Sequence, residues 1–431
     1  MLNGADRCEY ALDALERIGF AKAECTLNSV HGEELNLDSG KISLLRTTDD
    51  ITLHLGGIRN GAKGSLSMNR TDERSMEEGA ARAMELAESS EPDPAHDISP
   101  FQPAAEFQRG PLVADLDLMH ERMKEFRQYT VRKYPSLILR RTSITHESRS
   151  THYTNTNGTD LRSRIGSYSI QPLFASKEGK ATSSFNYATV VSDSLDRPFW
   201  EYGSLDLLML QSTEQVRSTV FEGKFEGDII ITPECLQEFV DMVCIYLGDR
   251  LMVRGTSIFR DSLSERVADE RLTLRSTPLS GELAAGHFIT DDGFAAENST
   301  VIESGILRSF LLSLYGARKT GRERVKSGGG CFVLDPGDTS HQEMVASVDR
   351  GVLLCRFSGG SPSAAGDFSG VAKNSYLIEE GEIRYPVKEM MISGSIRDLL
   401  RNIRAISAER VNMGYCLYPW VRAGGLTIFG R

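Results

Sequence analysis

The sequence predicts an α+β protein of two domains, and three observations support this. At 431 residues the chain is too long for one core, and 40% hydrophobic with 25% charged residues is ordinary globular composition. Helical and strand patterns come in separate blocks along the chain instead of alternating. The blocks also differ between the two halves. We therefore expect an N-terminal domain of mixed α/β layers in residues 1–222 and a mostly β C-terminal domain in residues 223–431.

The first half begins with an amphipathic helix in residues 1–20, because Leu15 and other apolar residues recur along one face. Thr71 is placed to cap a second helix, and a proline-rich stretch near residues 91–111 is typical of a connection laid over the surface. Apolar alternation and Gly, Asn or Asp turns predict the elements in this order: strands at 23–30, 41–47, 51–55 and 64–67, helices at 71–89 and 115–133, a β-rich stretch at 136–191 and a helix at 204–221.

The second half begins with a strand whose apolar run is typical of a buried strand. Thr232-Pro233 follows it and suits a helix start, with Thr as N-cap and Pro at the first helical position. Further along, a hairpin is predicted around Gly381, and Pro386 is expected to end its strand pairing. The predicted elements are a strand at 227–231, a helix from 233, short strands beyond 255, hairpin strands at 376–378 and 383–385, a helix at 396–403 and a last strand at 426–429.

The charge balance and the cysteine pattern exclude several function classes. A net charge of −11 argues against binding along a nucleic-acid backbone, which needs clustered Lys and Arg. No apolar run approaches the ~18 residues that span a membrane, and the N-terminus is too acidic and interrupted for a signal peptide. The seven cysteines are scattered without a CxxC pair, which favours reduced thiols. We therefore expect a cytoplasmic protein with neither nucleic acid nor membrane as partner.

Several motifs follow one another in a fixed order after residue 220. They are Arg254-Gly255-Thr256-Ser257, Asp291-Asp292-Gly293, Leu314-Tyr315-Gly316-Ala317-Arg318-Lys319-Thr320-Gly321 and Gly366-Asp367-Phe368-Ser369-Gly370. Together they resemble the C-terminal domain of the TldD/PmbA family, the so-called modulators of DNA gyrase, in which paired subunits form a metal-dependent peptidase. The Tyr-x-Ala-Arg-Lys-x-Gly run is similar to the PmbA (TldE) branch. The acidic composition gives no support to direct gyrase binding, so such an effect would be indirect, through peptide degradation.

The resemblance implies where a zinc motif would stand. In the metal-bearing TldD branch the helix before the Arg-Gly-Thr-Ser segment carries His-Glu-x-x-x-His, a spacing that can bind one zinc ion. The matching window here is residues 240–245, and no His occurs between His152 and His287. Cys416 occupies a place comparable to a ligand Cys of that branch, although a buried structural residue is the favoured interpretation. The resemblance thus implies no cofactor in this chain and zinc in the expected partner.

Two further groups of residues are candidates for function. His287 with Asp291 and Asp292 could perform acid–base chemistry or hold a cation. An acidic turn capped by Gly293 explains the same residues and is favoured. His146 and His152 superficially resemble a zinc-binding pair, but a spacing of six positions on a strand separates them by roughly 20 Å. A surface hairpin is expected there.

Cations and glycines in the C-terminal half are candidates for contacts with a peptide or a partner. Arg318 and Lys319 could pair with a peptide carboxylate or an acidic surface of a partner, or could simply be helix-terminal cations. Gly328, Gly329 and Gly330 could bring backbone amides close to an extended peptide added as a strand. A plain turn or flexible edge is favoured for the glycines.

The leading hypothesis is a PmbA/TldE-like subunit that supports a TldD-type metallopeptidase acting on unfolded or short peptides. This chain would shape the substrate channel while zinc in the partner activates water, and two similar subunits would face each other across a pseudo-two-fold axis. Two alternatives stay open. One is a homodimer that binds peptides without hydrolysing them, and the other is a specialised metal-independent hydrolase that uses His287, Asp291, Asp292 or Cys416.

Overall fold

The computed structural model describes residues 4–38, 41–388 and 390–430. Within these residues two large β-sheets follow one another along the chain, each with helices packed on it, which confirms the predicted two-domain α+β class. The helices are α1 (Gly4–Arg17), α2 (Glu73–Glu88), α3 (Leu116–Lys133), α4 (Leu205–Glu214), α5 (Pro233–Leu247), α6 (Asp249–Val253), α7 (Leu314–Thr320), α8 (His341–Ala346) and α9 (Ile396–Arg401). None of the helices in the described residues is long and apolar enough to cross a membrane.

The strands of the first sheet run in the spatial order β3-β2-β1-β5-β6-β4, with three short strands added along β6. They are β1 (Lys22–Asp38), β2 (Lys41–Arg59), β3 (Ala62–Met68), β4 (Ala105–Arg109), β5 (Leu137–Asn155), β6 (Asp160–Glu178), β7 (Ala181–Thr182), β8 (Asn186–Tyr187) and β9 (Val190–Ser192). Side chains alternate strictly between the two faces of such strands. One face carries the apolar residues and is covered by helices α1 to α4.

The second sheet is built around β11 and β23 at its centre, and α5 packs against it over the largest apolar core of the described chain. Its strands are β10 (Thr219–Val220), β11 (Lys224–Ile231), β12 (Leu274–Ser276), β13 (Ser299–Glu303), β14 (Ile306–Leu307), β15 (Phe332–Leu334), β16 (Arg350–Leu354), β17 (Arg356–Gly359), β18 (Asp367–Lys373), β19 (Ser375–Glu379), β20 (Glu382–Lys388), β21 (Met390–Ser395), β22 (Ile403–Asn412) and β23 (Leu417–Phe429). The predicted hairpin at Gly381 is confirmed, with Glu380 and Gly381 both at positive φ as a two-residue turn requires.

Three expectations about the first half are corrected by the structure. The strands predicted at 41–47 and 51–55 are one continuous strand, because Asp49 does not turn the chain but bonds across to His31 of β1 at 2.7 Å. Helix α2 is capped by Asp72 and not by Thr71, since the Asp72 carboxylate accepts a hydrogen bond from the Ser75 amide at 3.0 Å. The last helix of this half ends at Glu214, after which a 3₁₀ turn leads into β10.

Two further expectations are corrected in the strands. Pro386 does not end its hairpin, since it pairs with Tyr376 and β20 continues to Lys388. The neighbouring edge strand β10 pairs only at positions 387 and 388, so no N–H is needed at Pro386 on that side. His146 and His152 do lie on a hairpin, formed by β5 and β6, but not at the surface. They lie on β5 with their side chains buried on the helix-covered face.

Candidate functional site

The face of the first sheet that is not covered by helices forms one wall of a cavity of about 1050 Å³. Strand alternation places its side chains there, and most of them are uncharged hydroxyls or amides: Thr26, Asn28, Thr52, Thr145, Thr151, Ser163, Ser167, Ser169 and Gln171. The charged exceptions on this wall are Glu147 and Arg149, whose charged groups lie 3.8 Å apart. Hydroxyl and amide side chains offer hydrogen-bond donors and acceptors without a charge, so this neutral polar wall suits contact with a bound molecule.

The opposite wall of this interdomain cavity comes from the C-terminal half. It is formed by residues 285–291 together with Gly328 and Gly329. Four of the residues predicted from the sequence as site candidates, His287, Asp291, Gly328 and Gly329, therefore line the same space. Sequence reasoning named them separately, and the fold brings them together opposite the neutral wall.

Asp291 and Asp292 occupy a tight turn whose flanking residues Ile289 and Ala295 form an antiparallel bridge. Asp291 is exposed at the tip and lines the cavity, whereas Asp292 turns away from it. The Asp292 carboxylate accepts hydrogen bonds from the Thr290 hydroxyl at 2.6 Å and from the Leu314 amide at 2.8 Å, so it secures the start of α7. The two carboxylates thus differ in role, and Asp292 lines only a smaller adjoining cavity of about 350 Å³.

His287 bonds neither to Asp291 nor to Asp292 among the hydrogen bonds of the described residues. Its Nε2 lies 2.7 Å from the Ser327 carbonyl oxygen, and its Nδ1 lies 4.0 Å from the Cys331 sulfur. The alternative in which this histidine works with the two carboxylates therefore has no hydrogen bond among the described residues to support it. The imidazole is instead bonded to Ser327, the residue just before Gly328, Gly329 and Gly330, which we call the glycine loop.

Arg318 and Lys319 lie at the end of α7 and bind carboxylates of the same chain. Lys319 donates to Asp93 at 2.6 Å, and Arg318 pairs with Asp97 and also donates to the Pro94 carbonyl at 3.2 Å. The Lys319 hydrogen bond is the main reason that the pKa of Asp93 falls to about 2. These cations connect the two halves of the molecule, and their action on a peptide or a partner stays a prediction.

The proline-rich stretch expected to lie over the surface makes a second set of such contacts. The Gln102 side chain donates to the Gly293 carbonyl and accepts from the Ala295 amide, both at 2.9 Å. Arg109, on β4, donates to the carbonyls of Pro278 and Leu283 at 3.1 and 3.3 Å. This connector, residues 91–111, therefore fixes the segment that bears His287 and Asp291 against the first sheet.

The helix that would carry a zinc motif has no histidine, and the possible ligands in its window are Asp241 and Cys244 alone. Val240 and Val243 of this window are buried in the core. The Asp241 carboxylate accepts from the Gln237 amide at 2.7 Å, and the Gln237 oxygen accepts from the buried Tyr418 hydroxyl at 3.0 Å. In the described part of the chain, no three or more His, Cys, Asp or Glu side chains converge as a metal site would require.

Cys416, a candidate named from the sequence, and His54, which the sequence did not single out, differ in burial. Cys416 is buried, and burial raises the pKa of its thiol. His54 on β2 lines both the interdomain cavity and the smaller one, and burial lowers its pKa, which favours the neutral imidazole. Sequence reasoning missed His54 and the whole neutral wall. The signal available was that Ser, Thr, Asn or Gln recurs at positions of one face on four strands.

Comparison with known protein families and sequences gives three matches that cover different shares of the chain. Residues 223–430 match the family described as the PmbA/TldA metallopeptidase C-terminal domain. A metalloprotease of Methanocaldococcus jannaschii is 28% identical over 209 residues, which is 45% of this chain and 46% of that protein. The match to this relative thus spans less than half its length. A metalloprotease PmbA homologue of Haemophilus influenzae is 22% identical over 93% of this chain and 90% of its own.

The whole fold also has a counterpart among solved structures. TldE from Thermococcus kodakarensis superposes with a TM-score of 0.85 at 18% identity, covering 98% of this chain and 100% of its own. At that identity the likeness shows the fold alone. The chain therefore carries, in residues 223–430, a C-terminal domain of the PmbA/TldA metallopeptidase type, on a fold that it shares with TldE along nearly its whole length.

Proposed function

We propose that this chain is a supporting subunit of a TldD-type metallopeptidase that holds an unfolded or short peptide in the interdomain cavity. The observation that carries the proposal is the cavity itself, walled by neutral hydroxyls on one side and by residues 285–291 and the glycine loop on the other. Groups of this kind can bond to the amides that every peptide backbone offers, without selecting charged side chains. Its size lies at the upper end for binding sites of small molecules, which is enough for a short extended segment.

The non-catalytic role rests on the helix that would hold zinc. Its window carries buried valines and no histidine, and its Asp241 is bonded to Gln237, so in this proposal the metal-activated water comes from a partner. Zinc in the partner would supply the nucleophile by lowering the pKa of bound water. This chain's residues would position the peptide and exclude bulk water from it.

The first test combines metal content with peptidase activity. The purified chain is assayed alone and after mixing with a TldD-like protein encoded by the same genome, using an unfolded peptide as substrate. Cleavage only in the mixture, with no stoichiometric metal in this chain, supports the proposal. Cleavage by this chain alone overturns it and favours the metal-independent hydrolase.

The cavity is tested by filling it. Ser167 lies on the cavity face of β6, and Ser150 lies on the opposite face of the same sheet. Ser167→Trp is expected to abolish the partner-dependent cleavage, because the indole occupies the space of the peptide. Ser150→Trp, the same change on the other face, is expected to leave cleavage intact. Equal effects of the two variants would contradict a role for the cavity.

A peptide-binding homodimer without hydrolysis remains the second candidate, and one observation favours its peptide-binding part. Both walls of the cavity come from a single chain, so binding needs no residue of a partner. Titration of the chain alone with a labelled unfolded peptide, followed by mass analysis of that peptide, separates the two. Tight binding with an intact peptide that stays intact after the TldD-like protein is added would favour the homodimer.

A further inference from the structure

The glycine loop ends in a cysteine held in an unusual backbone conformation. Gly328, Gly329 and Gly330 have φ of +75°, +84° and +75°, and Cys331 follows with φ of +47°. A residue with a Cβ is uncommon in this left-handed region and is strained there by about 1–2 kcal/mol. Strain of this kind tends to mark residues that are held in place for a function.

The conformation brings the Cys331 thiol beside an imidazole whose proton position is fixed. A carbonyl oxygen can only accept, so the 2.7 Å contact with Ser327 requires His287 Nε2 to carry the proton. The Nδ1 atom of the neutral ring is then an acceptor, and it faces the Cys331 sulfur at 4.0 Å. The thiol donates at rest to the Ala285 carbonyl, 3.0 Å away, and needs only to rotate its S–H bond to meet Nδ1.

We propose that Cys331 is a thiol modification site. His287 activates its thiol, and the thiol reacts with low-molecular-weight disulfides that enter the interdomain cavity. In the step, the Cys331 sulfur attacks one sulfur of the disulfide as its proton passes to His287 Nδ1. A new S–S bond forms, the old one breaks, and the departing sulfur leaves as a thiolate that recovers the proton. Cys331 is oxidised to a mixed disulfide and half of the reagent is reduced to a thiol.

The position of the adduct gives the modification a consequence. Ala285 and His287, which contact the Cys331 sulfur, both line the interdomain cavity. A group attached to Cys331 therefore lies against the wall where we place the peptide. Burial raises the pKa of this thiol to about 11, so it is protonated near neutral pH and depends on a base for reaction.

The other six cysteines provide internal controls. Cys244 is also partly exposed but has no imidazole among its hydrogen-bond contacts in the described chain, and burial raises the pKa of its thiol. Neighbouring Cys25 and His152 lower the pKa of Cys8 to about 6, but the Cys8 side chain is completely buried. The remaining four are buried too. Accessibility and a base coincide only at Cys331 among these seven residues.

The test follows the reaction of the full chain with the neutral disulfide dithiodipyridine, and peptide mapping assigns each adduct. General-base assistance typically contributes ~100-fold or more. Cys331 is therefore expected to react faster than Cys244 by at least about tenfold, a threshold set below that range. His287→Gln keeps a donor for the Ser327 carbonyl and removes the Nδ1 acceptor, so it is expected to abolish that advantage. An unchanged Cys244 rate in the variant shows that the fold is intact.

Two outcomes overturn the proposal. One is a Cys331 rate no greater than that of Cys244 in the native chain. The other is a fast Cys331 that stays fast in His287→Gln, which would assign the reactivity to exposure alone. Neither outcome touches the proposed function, since cleavage with the partner is measured in the absence of the reagent.

Discussion

Removing the side chain of Gln102 should loosen the turn that bears Asp291. Gln102 makes two hydrogen bonds across the domain boundary, to the Gly293 carbonyl and from the Ala295 amide, both at 2.9 Å. A neutral hydrogen bond contributes about 1 kcal/mol net, and Gln102 is half-buried, so Gln102→Ala should cost about 2 kcal/mol. Gln108, exposed on the same connector, is the matched control. Its change to Ala should stay within ~0.5 kcal/mol.

Hydrogen exchange measured by mass spectrometry gives the direct readout. Loss of 1–2 kcal/mol of local stability should speed exchange in the peptide containing Ala295 by roughly 5- to 30-fold. The urea unfolding midpoint should fall in Gln102→Ala and hold in Gln108→Ala. If the two variants exchange and unfold alike, the connector does not fix the turn, and the reasoning from its contacts fails.

The other predictions concern the glycine loop and the interdomain ion pair. Gly328 and Gly330 share a φ of +75°, which costs an L-residue ~1–2 kcal/mol, but only at Gly328 would an added Cβ lie 2.8 Å from the Thr290 side chain. Gly328→Ala should therefore melt at a lower temperature than Gly330→Ala, and equal melting temperatures would contradict the packing argument. The pKa of Asp93 is depressed from 3.8 to about 2 in the folded chain. Its stabilising effect should thus be complete above pH 4 and be lost as the pH falls toward 2. Asp93→Asn should remove that part of the acid dependence of unfolding, and superimposable acid titrations of both proteins would refute it.

Local chemistry was enough to predict much of the fold. Thr232-Pro233 starts α5 as the preference for Pro in the first turn requires, and the Glu380-Gly381 turn forms its hairpin. These signals act over a few residues, so tertiary contacts rarely reverse them. The strand break expected near Asp49 failed for the complementary reason. Its turn-forming tendency is outweighed by a bond to His31 on the neighbouring strand, which the local sequence does not show.

The candidate site could be predicted only in pieces. His287, Asp291 and the glycines were named from local composition, but what each bonds to depends on segments far away in the sequence. Arg318 illustrates this, because its carboxylate partner Asp97 lies 221 positions earlier. A helix-terminal cation and a partner-binding cation look the same in the sequence. Only the tertiary structure decides which carboxylate is within reach.

The connector matters to the site as much as the residues that line the cavity. One wall belongs to the first sheet and the other to residues 285–291, so the cavity exists only while the two halves keep their relative position. Gln102, Arg109 and the Asp93–Lys319 pair supply some of the contacts between the halves, and all three involve residues 91–111. Others lie outside this stretch, such as the hydrogen bond of Asn374 to the Phe185 carbonyl. The stretch that its prolines predict to be a surface connection therefore helps to hold the two walls of the cavity in place. If the cavity holds a peptide as we propose, variants in this stretch should weaken that binding although none of its residues lines the cavity.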